Sequence, residues 1–274
     1  MAVVGCLPYL NVKPLSYLLE RGGLPPGWSL EYASPAQLAQ MLERGDICCA
    51  PVSSFACFAN PELKIVPGLC IASHGSVNSV LMFSKKRAEK VSTVAVDSGS
   101  LSGVAMLKII LAERHGVTPE FVACEPDIDL MLSGHDACLL LGNTAMRAGL
   151  APSRGVHVTD LGHEWLHLTG LPAVFAVWAV GPAAPLADLV PLLNKSKTAG
   201  VEALAEIASE ESEKLGLPYD VCRNYLSTVM VYDMGPDEIE GLAAFASKAF
   251  AHGLLDRPAE LRFAEAKALA CGQG

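Results

Sequence analysis

Short apolar runs rich in Val and Ile alternate along this chain with segments whose apolar positions recur every three or four residues, the pattern of strands alternating with amphipathic helices. Ala2 to Cys6 is predicted as a first strand, ending in the loop Leu7-Pro8-Tyr9-Leu10-Asn11 and followed by a helix over Leu15 to Arg21 that Gly22-Gly23 closes. Ser34-Pro35-Ala36-Gln37 sets an N-cap serine three residues before a glutamine and puts proline at the first helical position. A helix therefore starts there, carries Leu38, Met41 and Leu42 on one face, and stops at Gly45. Strands follow at Ile47 to Val52, Lys64 to Ala72 and Val77 to Ser84.

The middle third repeats the theme. Val91 to Val96 reads as a strand, Asp97 to Gly103 as a turn of small residues, and Val104 to Arg114 as a helix ending at Gly116. Phe121 to Cys124, Ala137 to Leu141 and Val156 to Thr159 are further strands, and Asp127 and Asp129 mark a helix start. Beyond Pro185 the chain turns helical, with a proline start at Pro236 and a last helix from Pro258 to Ala270. The apolar segments around Val77 to Ser84 and Ala173 to Val180 bracket the middle, so the chain is expected to leave one lobe, build a second and return. On this reading residues 1–82 and 181–274 form lobe I and residues 83–180 form lobe II, with a ligand cleft between them.

Composition narrows the functional classes. The 274 residues are 51% hydrophobic and 18% charged, ample material for a core. A formal net charge of -9 argues against a protein that holds nucleic acid or an anionic membrane surface. Mean hydropathy is +0.35, yet no apolar run reaches the roughly 18 residues of a spanning helix. The amino terminus lacks the basic and apolar regions of a secretory signal, and a cytoplasmic location is expected. Nine cysteines lie mostly in apolar runs with no Cys-x-x-Cys pair, so buried free thiols are expected rather than structural zinc.

Three polar turns stand between strand and helix, at Asn11, at Ser98 to Ser102 and at Gly142-Asn143-Thr144. Helix N-termini present free N–H groups to anions at such junctions, which makes Ser98, Ser100, Leu101, Ser102, Gly142, Asn143 and Thr144 candidate substrate-binding residues. Neither a phosphate-loop pattern nor a Gly-x-Ser-x-Gly elbow occurs. His163-Glu164-Trp165-Leu166-His167 matches the zinc expression His-Glu-x-x-His literally, but the segment is about two turns long and no third ligand is evident, so no metal is expected. No carboxylate pair is marked for acid–base work, and Asp97 is read as a capping or a cleft-facing residue.

Read together, Tyr9 to Leu15, Gly75 to Val80, Asp160-Leu161-Gly162 with Trp165, and Thr169-Gly170-Leu171-Pro172 followed by Val174 to Trp178 resemble the chorismate dehydratase family of the futalosine route to menaquinone. The likeness covers nearly the whole chain to about residue 180. It implies an α/β, two-lobed fold like that of type II periplasmic binding proteins, and the loss of water from chorismate to give 3-[(1-carboxyvinyl)oxy]benzoate. It further implies Asn11 and Ser79 as the catalytic residues, chorismate as the small-molecule partner and no cofactor. In the family the substrate's own enolpyruvyl carboxylate serves as the base, so an amide and a hydroxyl suffice. One departure is Asn143, where the family pattern has Asp. The dihydroxynaphthoate synthase family, also two-lobed, is the alternative within the pathway, but it differs in the amino-terminal block. A non-catalytic cytosolic solute-binding protein of the same fold is the alternative outside it.

Overall fold

A computed structural model describes residues 2–97, 99 and 101–264. Two five-stranded mixed sheets organise it. The first has the order β2 (Ser29–Tyr32), β1 (Val3–Cys6), β3 (Cys49–Ser53), β10 (Ala173–Val180), β4 (Lys64–Ser73). In the second the order is β7 (Glu120–Ala123), β6 (Thr93–Val96), β8 (Ala137–Leu141), β5 (Val80–Ser84), β9 (His157–Asp160). In each, four strands run in one direction and one runs antiparallel to its two neighbours: β10 against β3 and β4, β5 against β8 and β9.

The helices are α1 (Lys13–Glu20), α2 (Pro35–Arg44), α3 (Ser54–Ala59), α4 (Leu101–His115), α5 (Ile128–Gly134), α6 (Gly142–Leu150), α7 (Leu161–Thr169), α8 (Leu186–Glu202), α9 (Leu204–Leu215), α10 (Tyr219–Asn224) and α11 (Pro236–Ala251). Local chemistry explains their ends. Ser34 Oγ accepts from Gln37 N while Gln37 Oε1 accepts from Ser34 N, and Gly45 takes φ +76° to close α2. Asp127 Oδ1 accepts from Leu130 N at the start of α5.

The strand β2 and the short α3 were not legible in the sequence, because an exposed four-residue edge strand and a six-residue helix carry too little periodicity. The chain crosses to the second sheet between Ser73 and Val80 and returns between Asp160 and Ala173. A division at 82 and 180 cuts through β5 and puts β10 with the wrong sheet. The apolar run of β10 is buried between β3 and β4, where both faces are covered. The expected helix from Pro258 is absent over residues 258–264. Ile65 N donates to Arg262 O and Ala264 N to Ile65 O, so this segment lies extended along β4. The rest of that expected helix, 265–270, lies outside the described residues.

The helical tail binds the two halves together. Phe245 of α11 meets Phe58 of α3 edge-on at 5.3 Å and Trp165 of α7 at 5.4 Å between ring centres. Lys248 and His252 both reach Glu113 of α4, at 2.6 and 2.8 Å. Between α1 and α8 the backbones approach so closely that a Cβ on Gly200 would lie 1.9 Å from Pro14 O.

Two expectations follow from this packing. Gly200→Ala forces α8 off α1, an overpacking cost of about 1 to 3 kcal/mol, and its Tm by calorimetry should fall by several degrees. The eight described cysteines form no disulfide, and Cys6, Cys57 and Cys138 are buried. Burial pushes the Cys6 thiol up to about 11 and those of Cys57 and Cys138 up to about 12. Among the described cysteines, a neutral alkylating reagent at pH 8 should therefore label half-buried Cys48 and Cys124 first, and Cys6, Cys57 and Cys138 only after unfolding, as read by peptide mass.

Candidate active site

The carboxyl ends of the parallel strands in the two sheets face one cavity of about 380 Å³. From the first sheet, β1 delivers Leu7, Tyr9 and Asn11, and β3 delivers Val52 and Ser53. From the second, β6 delivers Asp97 and β8 delivers Leu141 and Gly142. Ile71 of β4, Phe175 and Ala176 of β10, and the crossing segment with Val77, Ser79 and Val80 complete the floor. This is the edge at which open α/β sheets bind ligands, because the following helices begin there.

Four helices do begin at this wall. Ser34, Pro35 and Ala36 open α2, Ser53 precedes α3, Leu101, Ser102 and Gly103 form the first turn of α4, and Gly142 opens α6. None of the described lining residues is Lys, Arg or His, and Asp97 is the one carboxylate among them. Asp97 Oδ1 accepts from Gly99 N at 3.0 Å, a tight local turn. Burial first, and the Asp97 charge second, push the Tyr9 phenol above its ordinary value, so Tyr9 stays a neutral donor. The positive ends of helix dipoles and neutral hydroxyls and amides are thus what this cavity offers an anion.

Asn11 sits in a single 3-10 turn (Leu10–Val12) after β1, and its Oδ1 is buried without a hydrogen-bond partner among the described residues. Ser79 is 1% exposed, at the start of β5. Its backbone carbonyl accepts from Gly142 N at 2.7 Å, and its Oγ accepts from Tyr225 Oη at 2.8 Å. Upstream, Asp160 grips the same segment: Oδ1 accepts from Val77 N at 2.9 Å and Oδ2 from Asn78 N at 2.7 Å, while Oδ1 also accepts from Gly162 N and His163 N to cap α7. Asn78 takes φ +58°, a left-handed conformation at a non-glycine residue, just before Ser79.

The structure brings Asn11, Ser79, Leu101, Ser102 and Gly142 to the cavity. Ser98 and Ser100 lie outside the described residues. Asn143 and Thr144 are not among the residues that line it. Asn143 Oδ1 instead accepts from Leu10 N at 3.3 Å, tying the start of α6 to the turn that carries Asn11, and Thr144 is exposed. Ser102 Oγ has a double use, since it lies 2.8 Å from Ser53 Oγ and accepts from Phe55 N at 3.2 Å across the cleft. Tyr9, Ser53, Phe175 and Tyr225 were missed. The aromatics sit in apolar runs that read equally well as core, and Tyr225 comes from the distant tail.

His163 and His167 are exposed neighbours on α7 with ring centres 4.4 Å apart, and Glu164 between them is paired with Arg114 at 2.6 Å. Among the described residues no group of three or more His, Cys, Asp or Glu is placed to hold a metal ion. No described helix is long and apolar enough to cross a membrane.

The fold is that of the solute-binding proteins. The alkanesulfonate-binding protein of Xanthomonas axonopodis pv. citri superposes with a TM-score of 0.64 at 15% identity, over 95% of this chain and 96% of that one. The periplasmic aliphatic sulphonate binding protein of Escherichia coli gives 0.63 at 16% identity, over 98% and 94%. A crystallised protein of Archaeoglobus fulgidus gives 0.71 at 16% identity, over 92% and 98%. Within that class the sequence is more specific: residues 2–251 match the family model for menaquinone biosynthesis, and the chain belongs to this family. A curated relative, the chorismate dehydratase of Thermus thermophilus, is 33% identical over 260 residues, 89% of this chain and 93% of that one.

The grip of Asp160 on Val77 and Asn78 generates a prediction. Asp160→Ala leaves the amides of Val77, Asn78, Gly162 and His163 without their acceptor, and bonds to a charged group are worth about 1.5 to 3 kcal/mol each. Thermal unfolding should show a Tm lowered by at least several degrees. An unchanged Tm would mean that water serves those amides equally well.

Proposed function

We propose that this chain is a chorismate dehydratase, a hydro-lyase that removes water from chorismate to give 3-[(1-carboxyvinyl)oxy]benzoate in menaquinone biosynthesis. The observation that carries the reading is the 33% identity to the Thermus thermophilus chorismate dehydratase over 89% of this chain. The chemistry of that cavity supports it. Elimination takes the ring hydroxyl and a neighbouring ring proton, and aromatisation supplies the driving force. The protein must therefore position the substrate and stabilise charge on the departing oxygen, with no protein acid–base pair required.

Asn11 and Ser79 are the groups nearest this task. Both present neutral polar atoms to the cavity, and the base is the substrate's own enolpyruvyl carboxylate. A substrate with two carboxylates meets no lysine or arginine among the described lining residues. Its charge is held by the N-terminal turns of α2, α4 and α6, with Ser102 and Gly142 as the named contacts. Asp97 repels a dianion, so in this reading it lies toward the hydroxyl-bearing side of the ring. Asn143 acts through the turn that holds Asn11 and makes no contact with substrate. Similarity to an enzyme of a biosynthetic pathway supports a cytoplasmic location.

Purified protein incubated with chorismate should release the aromatic product, followed by absorbance and mass. Asn11→Asp keeps the shape but sets a negative charge beside a dianion. Losing a bond to a charged group costs about 1.5 to 3 kcal/mol, so kcat/KM should fall at least about tenfold. Ser79→Ala loses a hydrogen bond alone and should fall less. A chelator should leave turnover unchanged. Tight binding of chorismate without turnover would instead favour a solute-binding protein, and near-normal turnover by folded Asn11→Asp would return that residue to a loop-capping role.

A further inference from the structure

Tyr225 is the least expected neighbour of the site. It comes from the helical tail, far along the chain from Ser79 and inside the residues 2–251 that match the family model, and it is 2% exposed, among the largest fully buried side chains of the protein. The helix α10 widens into one π turn at Tyr225–Val229, where Met230 N donates to Tyr225 O at 3.0 Å. Such widened turns cost regular hydrogen bonding and recur at functional sites. Directly after it the chain is strapped to β4: Ala72 N donates to Val231 O, Val231 N to Ala72 O, and Cys70 N to Tyr232 O. The phenol is thereby delivered to Ser79 from behind the cavity wall, and Tyr225 is not itself one of the residues lining that cavity.

The hydrogen bond has a direction. Tyr225 Oη donates to Ser79 Oγ at 2.8 Å. A serine hydroxyl has one proton and two lone pairs, so accepting from Tyr225 fills a lone pair and leaves its own proton to be given elsewhere. Among the described residues that proton has no protein acceptor, and Ser79 lines the cavity. Asn11 Oδ1 likewise has no partner. Burial drives the Tyr225 phenol well above its ordinary value, and the contacts of Ser79 and Asn11 only partly oppose this, so the phenol keeps its proton and remains a donor at physiological pH.

We propose that Tyr225 is a positioning residue for the dehydration: by donating to Ser79 Oγ it turns the Ser79 proton into the cavity, toward the oxygen that leaves the substrate ring. The proposal rests on the chorismate dehydratase reading. No proton is transferred by Tyr225 itself. Its donation makes Ser79 a better and better-aimed donor, as linked hydroxyls polarise one another, and the benefit is greatest when the departing oxygen carries most charge. Tyr225 therefore acts on the chemical step and leaves ground-state binding nearly alone.

The test is a double-mutant cycle on chorismate turnover with Tyr225→Phe, Ser79→Ala and the pair. Tyr225→Phe keeps the ring in the core and removes the hydroxyl. Its kcat should fall about three- to tenfold with KM changed less than about twofold. In the pair, kcat should match that of Ser79→Ala alone, because Tyr225 has nothing left to aim. If the two losses multiply, or if Tyr225→Phe raises KM and leaves kcat, Tyr225 is a core residue and the proposal fails while the reading of the reaction stands. If the unmodified protein does not dehydrate chorismate, both fail.

Should Tyr225→Phe not fold, 3-fluorotyrosine at position 225 gives a second route. Its more acidic phenol is a stronger donor, so kcat should rise in the otherwise natural protein and stay unchanged in Ser79→Ala. An equal response in both backgrounds overturns the proposal.

Discussion

One carboxylate governs how the two sheets meet. Asp160, at the end of β9, accepts from the backbone amides of Val77 and Asn78 and from the first amides of α7. Both crossings between the sheets pass this point, the outward one at Val77 to Ser79 and the return one through α7. A carboxylate with several amide donors has its charge compensated without a cation, which suits the partly buried setting. Gly162 permits the approach, since a Cβ there would lie 2.3 Å from Gly75 O. With the crossing fixed, Asn78 is held left-handed and Ser79 follows in one orientation.

From that constraint the cavity follows. Parallel strands deliver their carboxyl ends to one edge, and two such sheets placed edge to edge surround a space with helix N-termini. The protein's net charge of -9 does not prevent it from holding a dianion, because the relevant field is local. Fixed dipoles and neutral hydroxyls also leave fewer charged side chains to reorganise as charge moves during the elimination. The same edge explains the polar ties across the cleft. Ser102 with Ser53 and Phe55, and Asn143 with Leu10, join the two halves at positions where helices of the second sheet begin.

The tail beyond β10 extends this arrangement. Phe245 packs between Phe58 and Trp165, Glu113 gathers Lys248 and His252, and the segment after Tyr225 pairs with β4. A helical layer that bridges both halves restrains their relative motion. It also allows a residue from the far end of the chain to reach the back of Ser79.

The sequence by itself determined the α/β class, the strands β8 and β10 to the residue, the capped start and glycine stop of α2, and the burial, as free thiols, of six of the eight described cysteines. These are local matters, settled by periodicity, cap chemistry and apolar burial within a few residues. It also marked Asn11, Ser79, Leu101, Ser102 and Gly142, because polar residues at strand–helix junctions and family blocks are readable along the chain. Sheet membership of β10, the diversion of Asn143 to the amide of Leu10, the extended course of 258–264 and the presence of Tyr225 beside Ser79 were decided by tertiary structure alone. Each depends on a partner between about 100 and 200 residues away, and no local pattern encodes which distant backbone group or hydroxyl will satisfy a given polar atom once the core has closed.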